Sequence, residues 1–327
     1  CIFRERITAM ATDTVSSKTT SRIDELDYLK CIMIILMISF HLVYIEELHP
    51  YAKQVVYTFH MPVFMLISGY LMKIDKAAKA FFRTILWLAV PYIVMESGYT
   101  VMASMLPIRE HIDNLTLGVF LNKLLINPLG PYWYLHSLIL CGITYYALFH
   151  IAKIQNLTRF ILLGISYFLY SKIDIISMPL AFYFLAGTII RQSSFEFLQI
   201  FRPSFLSLPA IILLIINPDN LHAGSIGGVL IVYLTVSLCL AVYPYLKNNI
   251  RGGMLFIGRN TLPIFLFSPI FTIICKQLIP ALSFDPTGML FLLASVLICV
   301  SGSLAISWLI DFCRLAPFFI GRAKIIS

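Results

Sequence analysis

Ten apolar stretches, judged against the roughly 20 residues that an α-helix needs to cross a bilayer, divide this 327-residue chain almost end to end; the fifth, sixth and seventh are short, so that either they lean on neighbours or one is re-entrant. They run approximately over 27–45, 54–72, 82–106, 131–152, 157–173, 177–192, 203–217, 225–244, 257–279 and 287–312. In hydrocarbon every backbone N–H and C=O must find its partner within the chain, and a helix achieves this inside each stretch. The expected fold is therefore all-α, a polytopic membrane helix bundle of about ten transmembrane helices. Composition agrees: 59% of residues are hydrophobic, only 12% are charged and mean hydropathy is +0.88, whereas a soluble domain is about a quarter charged. No polar run is long enough for a separate extramembrane domain. Residues 23–327 read as one integral membrane domain, and 1–22 as a polar, mobile cytoplasmic tail without the apolar core of a signal peptide.

The net charge of +8 does not point to nucleic acid, because the basic residues are spread through short connections between apolar runs. With the N-terminus inside, eighteen of the 24 Lys and Arg fall on inner segments and five on outer ones, while Lys30 lies within the first stretch. This asymmetry places both termini in the cytoplasm and the chain in a cytoplasmic membrane. The seven cysteines include no CxxC pair and have mostly apolar neighbours. They read as small buried hydrophobes, and no metal site is expected.

The first stretch, DYLKCIMIILMISFHLVY (Asp27 to Tyr44), carries two ionisable residues. Lys30 and His41 stand eleven positions apart, about three helical turns and roughly 16 Å of rise. They share a stripe with Ile34 and Met37, which we expect to face the bundle interior while the other apolar side chains face lipid. Ionisable groups inside a membrane are costly, so a functional role gains weight for both. A neutral imidazole in a dry site is suited to removing a proton from a hydroxyl, although a passive histidine bonded to a carbonyl fits equally well. Lys30 has a simpler reading, an i,i+3 ion pair with Asp27. Its functional alternative is a contact for a phosphate-bearing ligand.

Other polar residues stand out of place. His60-Met61-Pro62 fits a helix opening, with proline in the first turn, and His60 reads first as interfacial and second as a site residue. Ser68-Gly69 permits close helix contact. Lys73, Lys76, Lys79 and Arg83 form a basic inner connection, which topology alone explains; Arg83 is also placed to meet an anionic ligand. Glu96 is an intramembrane acid for which a histidine partner is expected, and Pro91 is expected to kink the same helix. Asn114 to Leu125 has an amphipathic pattern suited to the outer surface. In GPYWYLHSL, Trp133 and its tyrosines suit an interfacial belt, yet the same aromatics would floor a carbohydrate site with His136 one turn below. In IGRNTLPIFLFSPIF, Ser268-Pro269 is expected to break the span midway and to line a cavity.

These motifs resemble, in order and over about Arg22 to Gly321, those of the acyltransferase 3 family of integral membrane acyltransferases, which includes bacterial O-acetyltransferases of surface polysaccharides. The resemblance rests on Asp27, Lys30 and His41 in the opening helix, on FHMPVFMLISGY, on PYWYLHSL and on IGRNTLPIFLFSP. It implies an acyl-CoA donor, normally acetyl-CoA, engaged from the cytoplasm, and a hydroxyl acceptor on a glycan or lipid-linked sugar. By that pattern His41 is the essential base and Lys30 a donor contact. The family's Arg-x-Arg element is matched only by Arg83 with Lys79 four residues earlier, and Ser268 stands where many members carry histidine. Trp133, His136, His60, Glu96 and Ser268 are the candidate acceptor-binding residues. The resemblance also implies a bacterial inner membrane.

Two other function classes fit some of these features. A transporter or flippase for a lipid-linked sugar would also have many spans, broken helices and intramembrane ionisable residues, but the two halves show no internal repeat. An assembly or sensor protein without chemistry explains neither Lys30 nor His41.

Overall fold

A computed structural model of the chain describes residues 22–105, 110–150 and 155–326; the expected N-terminal tail lies outside them apart from Arg22. Among the described residues the secondary structure is helical with no strand. In chain order the helices are α1 (Asp24–His41), α2 (Val43–Leu48), α3 (Pro50–Leu71), α4 (Ala78–Met105), α5 (Leu117–Leu125), α6 (Trp133–His150), α7 (Asn156–Lys172) and α8 (Met178–Gln192). There follow α9 (Phe197–Ile200), α10 (Ser207–Ile215), α11 (Ile226–Val242), α12 (Asn248–Arg259), α13 (Thr261–Cys275), α14 (Ile279–Leu282), α15 (Met289–Phe312) and α16 (Ala316–Phe319). Every one of the ten expected stretches contains a helix. Four continuous helical segments are long and apolar enough to cross a membrane by length and composition: Ala78–Met105, Ile226–Tyr245, Thr261–Leu282 and Met289–Phe312.

Helix α1 is the axis of the bundle. Its first turn holds Asp24, Glu25 and Asp27, which favour the positive end of the helix dipole, and it stops where Leu42 turns extended. The stripe of Lys30, Ile34, Met37 and His41 faces inward as expected. Most of the other apolar residues do not face outward: Leu26, Leu29, Cys31, Met33, Ile38 and Phe40 are buried too, while Ile32, Ile35 and Leu36 are half-buried. The reason is that α1 is surrounded, with α3, α11, α12, α13 and α15 all packed against it. Glycine makes part of this enclosure possible. A Cβ on Gly258 of α12 would collide with the carbonyl oxygen of Asp27, so the two backbones touch there.

The other close crossing is α3 against α8, the most extensive helix pair in the molecule. A Cβ on Gly69 would strike the Phe184 carbonyl, and one on Gly187 would strike the Leu66 carbonyl. The small-residue contact expected at Ser68-Gly69 is thus made by glycine on both sides.

Several local expectations change. Helix α3 begins at Pro50, not at His60, so His60-Met61-Pro62 lies in its middle. The polar residues Lys53 and Gln54, which mask the apolar pattern, form its opening turns. Helix α13 runs through Pro269 without a break. The interruption falls instead at Asn260, a fully buried residue that ends α12 and precedes α13, its side-chain amide donating to the Phe256 carbonyl at 2.8 Å. Pro91 lies inside α4, which runs from Ala78 to Met105. The amphipathic segment forms α5, capped by the Thr116 hydroxyl, which accepts from the Val119 N–H at 3.2 Å, and none of its residues is buried. Of the described cysteines, Cys31, Cys141, Cys275 and Cys299 are buried as expected, while Cys313 is exposed.

Candidate active site

The inward stripe of α1 borders cavities at both ends of the bundle. Lys30 and Ile34 line a cavity of about 420 Å³ at what we term the lysine end. Met37 and His41 line two at the opposite, histidine end, of about 550 and 250 Å³. Met61 from α3 and Phe265 from α13 line both the 420 Å³ and the 550 Å³ cavities. They form a neck where the two ends meet. Tyr134 backs it, its ring 5.5 Å from that of Phe265 and 5.9 Å from that of Phe64, its hydroxyl 2.7 Å from that of Ser68.

His41 lines both histidine-end cavities. It ends α1, and its Nδ1 lies 2.8 Å from the carbonyl oxygen of Met37 one turn earlier. A carbonyl only accepts, so Nδ1 carries the hydrogen and Nε2 of the neutral ring keeps its lone pair. Tyr57 flanks the ring at 6.3 Å between centroids and donates its hydroxyl to Phe40 O at 3.1 Å. At the rim Lys53 is neutralised by an ion pair with Glu46.

The structure brings some of the other candidates to this end and not others. His60 lines the 550 Å³ cavity with His41 and Trp133. It is only 2% exposed, so it is a core residue and not an interfacial one. Ser268, also buried, lines the 250 Å³ cavity with His41 and Pro269. Glu96 is fully buried and borders none of these cavities. It accepts from the Leu129 N–H at 2.7 Å and from the Thr100 hydroxyl at 3.5 Å, in place of the expected histidine. Together with Glu110, which accepts from the Gly130 N–H at 2.7 Å, it fixes the turn that delivers Pro131 and Trp133 to the cavity wall. His136 turns away to donate from Nε2 to the Leu125 carbonyl at 2.9 Å, beside Tyr92, which bonds Leu124 O at 2.7 Å. The two side chains tie the end of α5 to the bundle.

At the lysine end, Lys30 forms the ion pair with Asp27 at 2.7 Å that its spacing suggests. Asp27 also holds Arg22 at 2.5 Å and Arg259 at 3.5 Å, and Arg259 reaches Asp24 at 3.1 Å. The 420 Å³ cavity is lined further by Lys73, Lys76 and Arg322. It adjoins a cavity of about 320 Å³ lined by Arg83, Arg259 and Arg322, the two sharing Thr84, Leu88, Leu262 and Arg322. Between the cations and the neck the wall is apolar, formed by Ile34, Phe64, Ile67, Leu135 and Leu138. Lys79 is exposed and outside both cavities. Sequence reasoning read Lys73 and Lys76 as topology signals alone and did not single out Arg322; only the folded chain gathers them. Among the described residues no group of three or more His, Cys, Asp and Glu is placed to hold a metal ion.

The helical, membrane-type bundle thus holds a histidine-lined cavity and a cation-lined cavity with Met61 and Phe265 between them. The family profile described as "Acyltransferase domain" (Acyl_transf_3) matches residues 23–311, nearly the whole chain. The protein belongs to the acyltransferase 3 family and is a membrane acyltransferase. No curated protein and no solved structure matches.

Proposed function

We propose that this protein is an O-acyltransferase that moves an acetyl group from acetyl-CoA to a hydroxyl of a surface glycan or lipid-linked sugar, with His41 as general base. The observation that carries this is the pairing of a basic cavity with a histidine cavity across the Met61–Phe265 neck. The lysine end suits the donor. Its phosphates match Lys30, Lys73, Lys76, Arg83, Arg259 and Arg322, and the apolar wall from Ile34 to Leu138 suits a pantetheine arm pointing at the neck. The surplus of Lys and Arg at this end supports reading it as the cytoplasmic side.

At the histidine end the acceptor hydroxyl lies against His41. Nε2 takes its proton as the oxygen bonds to the thioester carbonyl carbon, a contribution of roughly 10²- to 10⁴-fold. The carbon–sulfur bond then breaks, and the imidazolium returns the proton to the leaving sulfur. The products are the ester and free CoA. Ser268, on the cavity wall beside His41, is the hydroxyl donor available to the carbonyl oxygen as charge develops there.

Acetyl-CoA binding is tested by thermal unfolding of the purified full chain in detergent. We expect millimolar acetyl-CoA to raise the melting temperature, as ligand binding to the folded state must, and the rise to shrink in Arg322→Ala and Lys76→Ala. No acetyl-CoA response in the wild type would contradict the donor assignment.

A further inference from the structure

His60 carries an unusual load. It sits in the middle of α3, 2% exposed, and its Nδ1 lies 2.8 Å from the Val56 carbonyl, so Nδ1 bears the hydrogen and Nε2 the lone pair. That Nε2 is buried and has no hydrogen-bond partner. Most buried polar atoms are satisfied, and leaving one unpaired is costly. The six other orphaned polar atoms among the described residues, on Trp87, Glu96, His136, Ser237, Arg251 and Ser295, belong to residues that do not line the histidine-end cavities. His60 differs because its ring lines the same 550 Å³ cavity as His41. The two imidazoles stand on either side of Tyr57, whose ring centroid is 6.3 Å from that of His41 and 5.0 Å from that of His60. Two imidazoles on different helices, each bonded through Nδ1 to a carbonyl one turn back, thus line one cavity, and the buried Nε2 of His60 lacks a partner within the chain.

We infer that His60 is a positioning residue for the acceptor: its Nε2 accepts a hydrogen bond from a second hydroxyl of the same sugar unit whose first hydroxyl is attacked through His41. The inference rests on the acyl-transfer reading above and narrows the acceptor to a sugar with at least two free hydroxyls on one ring. A cavity of this size accommodates a sugar unit. A site built to bond a substrate hydroxyl rejects the analogue that lacks it, because the buried partner is then left unpaired.

The test uses the purified full chain in nanodiscs with acetyl-CoA as donor and, as acceptor probes, a set of methyl hexopyranosides and their monodeoxy counterparts, with product ester measured by mass spectrometry. For the wild type we expect one deoxy position, other than the acetylated one, to lower kcat/KM about tenfold or more. In His60→Phe, which keeps a ring but no acceptor atom, that discrimination should vanish, with KM for the full sugar raised. His60→Gln, whose carbonyl oxygen can accept, should restore part of it. Retention of the acetyl-CoA thermal shift by His60→Phe shows that the fold survives. Equal discrimination in wild type and His60→Phe, or none in the wild type, would overturn the role of His60 while leaving acyl transfer intact. Transfer to none of these sugars despite a thermal response to acetyl-CoA would overturn the sugar assignment, and absence of both would overturn the donor reading as well.

Discussion

At the scale of single residues, the ends of α1 do different work with the same economy of partners. His41 commits Nδ1 to its own helix, at the Met37 carbonyl. Asp27, by contrast, is shared among Arg22, Lys30 and Arg259. Its side chain is 5% exposed while its partners range from 19% to 51%. Exposure of the partners screens the pairs, so the cost of losing the carboxylate lies between surface and buried values. We expect Asp27→Asn to reduce stability by about 1–3 kcal/mol, seen as a lower melting temperature without ligand. An unchanged melting temperature would mean that the cluster has no structural role. The Lys30–Asp27 bond is legible in the sequence because the two residues are one turn apart. Arg259 is not, since it joins the cluster from more than two hundred residues away, brought there by the Gly258 contact with α1.

At the scale of elements, hydropathy located a helix in each of the ten stretches, because apolar length is what a bilayer-spanning bundle demands. It misjudged punctuation. Pro62 and Pro269 suggest a helix opening and a break, yet both lie inside helices; the neighbouring helices hold the backbone in place where a solvated helix would end. Glycine is the better guide to how helices meet. Gly69 and Gly187 have no room for a Cβ, since each would strike a main-chain oxygen of the facing helix. We expect Gly69→Ala and Gly187→Ala to separate α3 from α8 and sharply reduce the folded yield in size-exclusion chromatography. Gly98→Ala is the contrast: no atom lies within 4 Å of a Cβ there, and alanine in an exposed helix should stabilise by roughly 0.5–1 kcal/mol. Folded yields indistinguishable among the three variants would contradict the close crossing.

At the scale of the whole molecule, the fold places a histidine and a cationic cluster at the two ends of one central helix, with Met61 and Phe265 between them. The spacing of Lys30 and His41 already hinted at this polarity. The sequence could not reveal that α1 is enclosed on all sides, because enclosure depends on five other helices. Nor could it separate His60 and Ser268, which reach the histidine end, from Glu96 and His136, which brace the connections around it. All four look alike as polar residues in apolar surroundings. The most direct test is mass spectrometry of surface glycans from cells carrying the wild-type protein or His41→Ala at equal membrane abundance. We expect an acetyl mass on the glycan with the wild type and its loss with His41→Ala, whereas the same acetylated glycan in both would contradict His41 as the base of this acyltransferase.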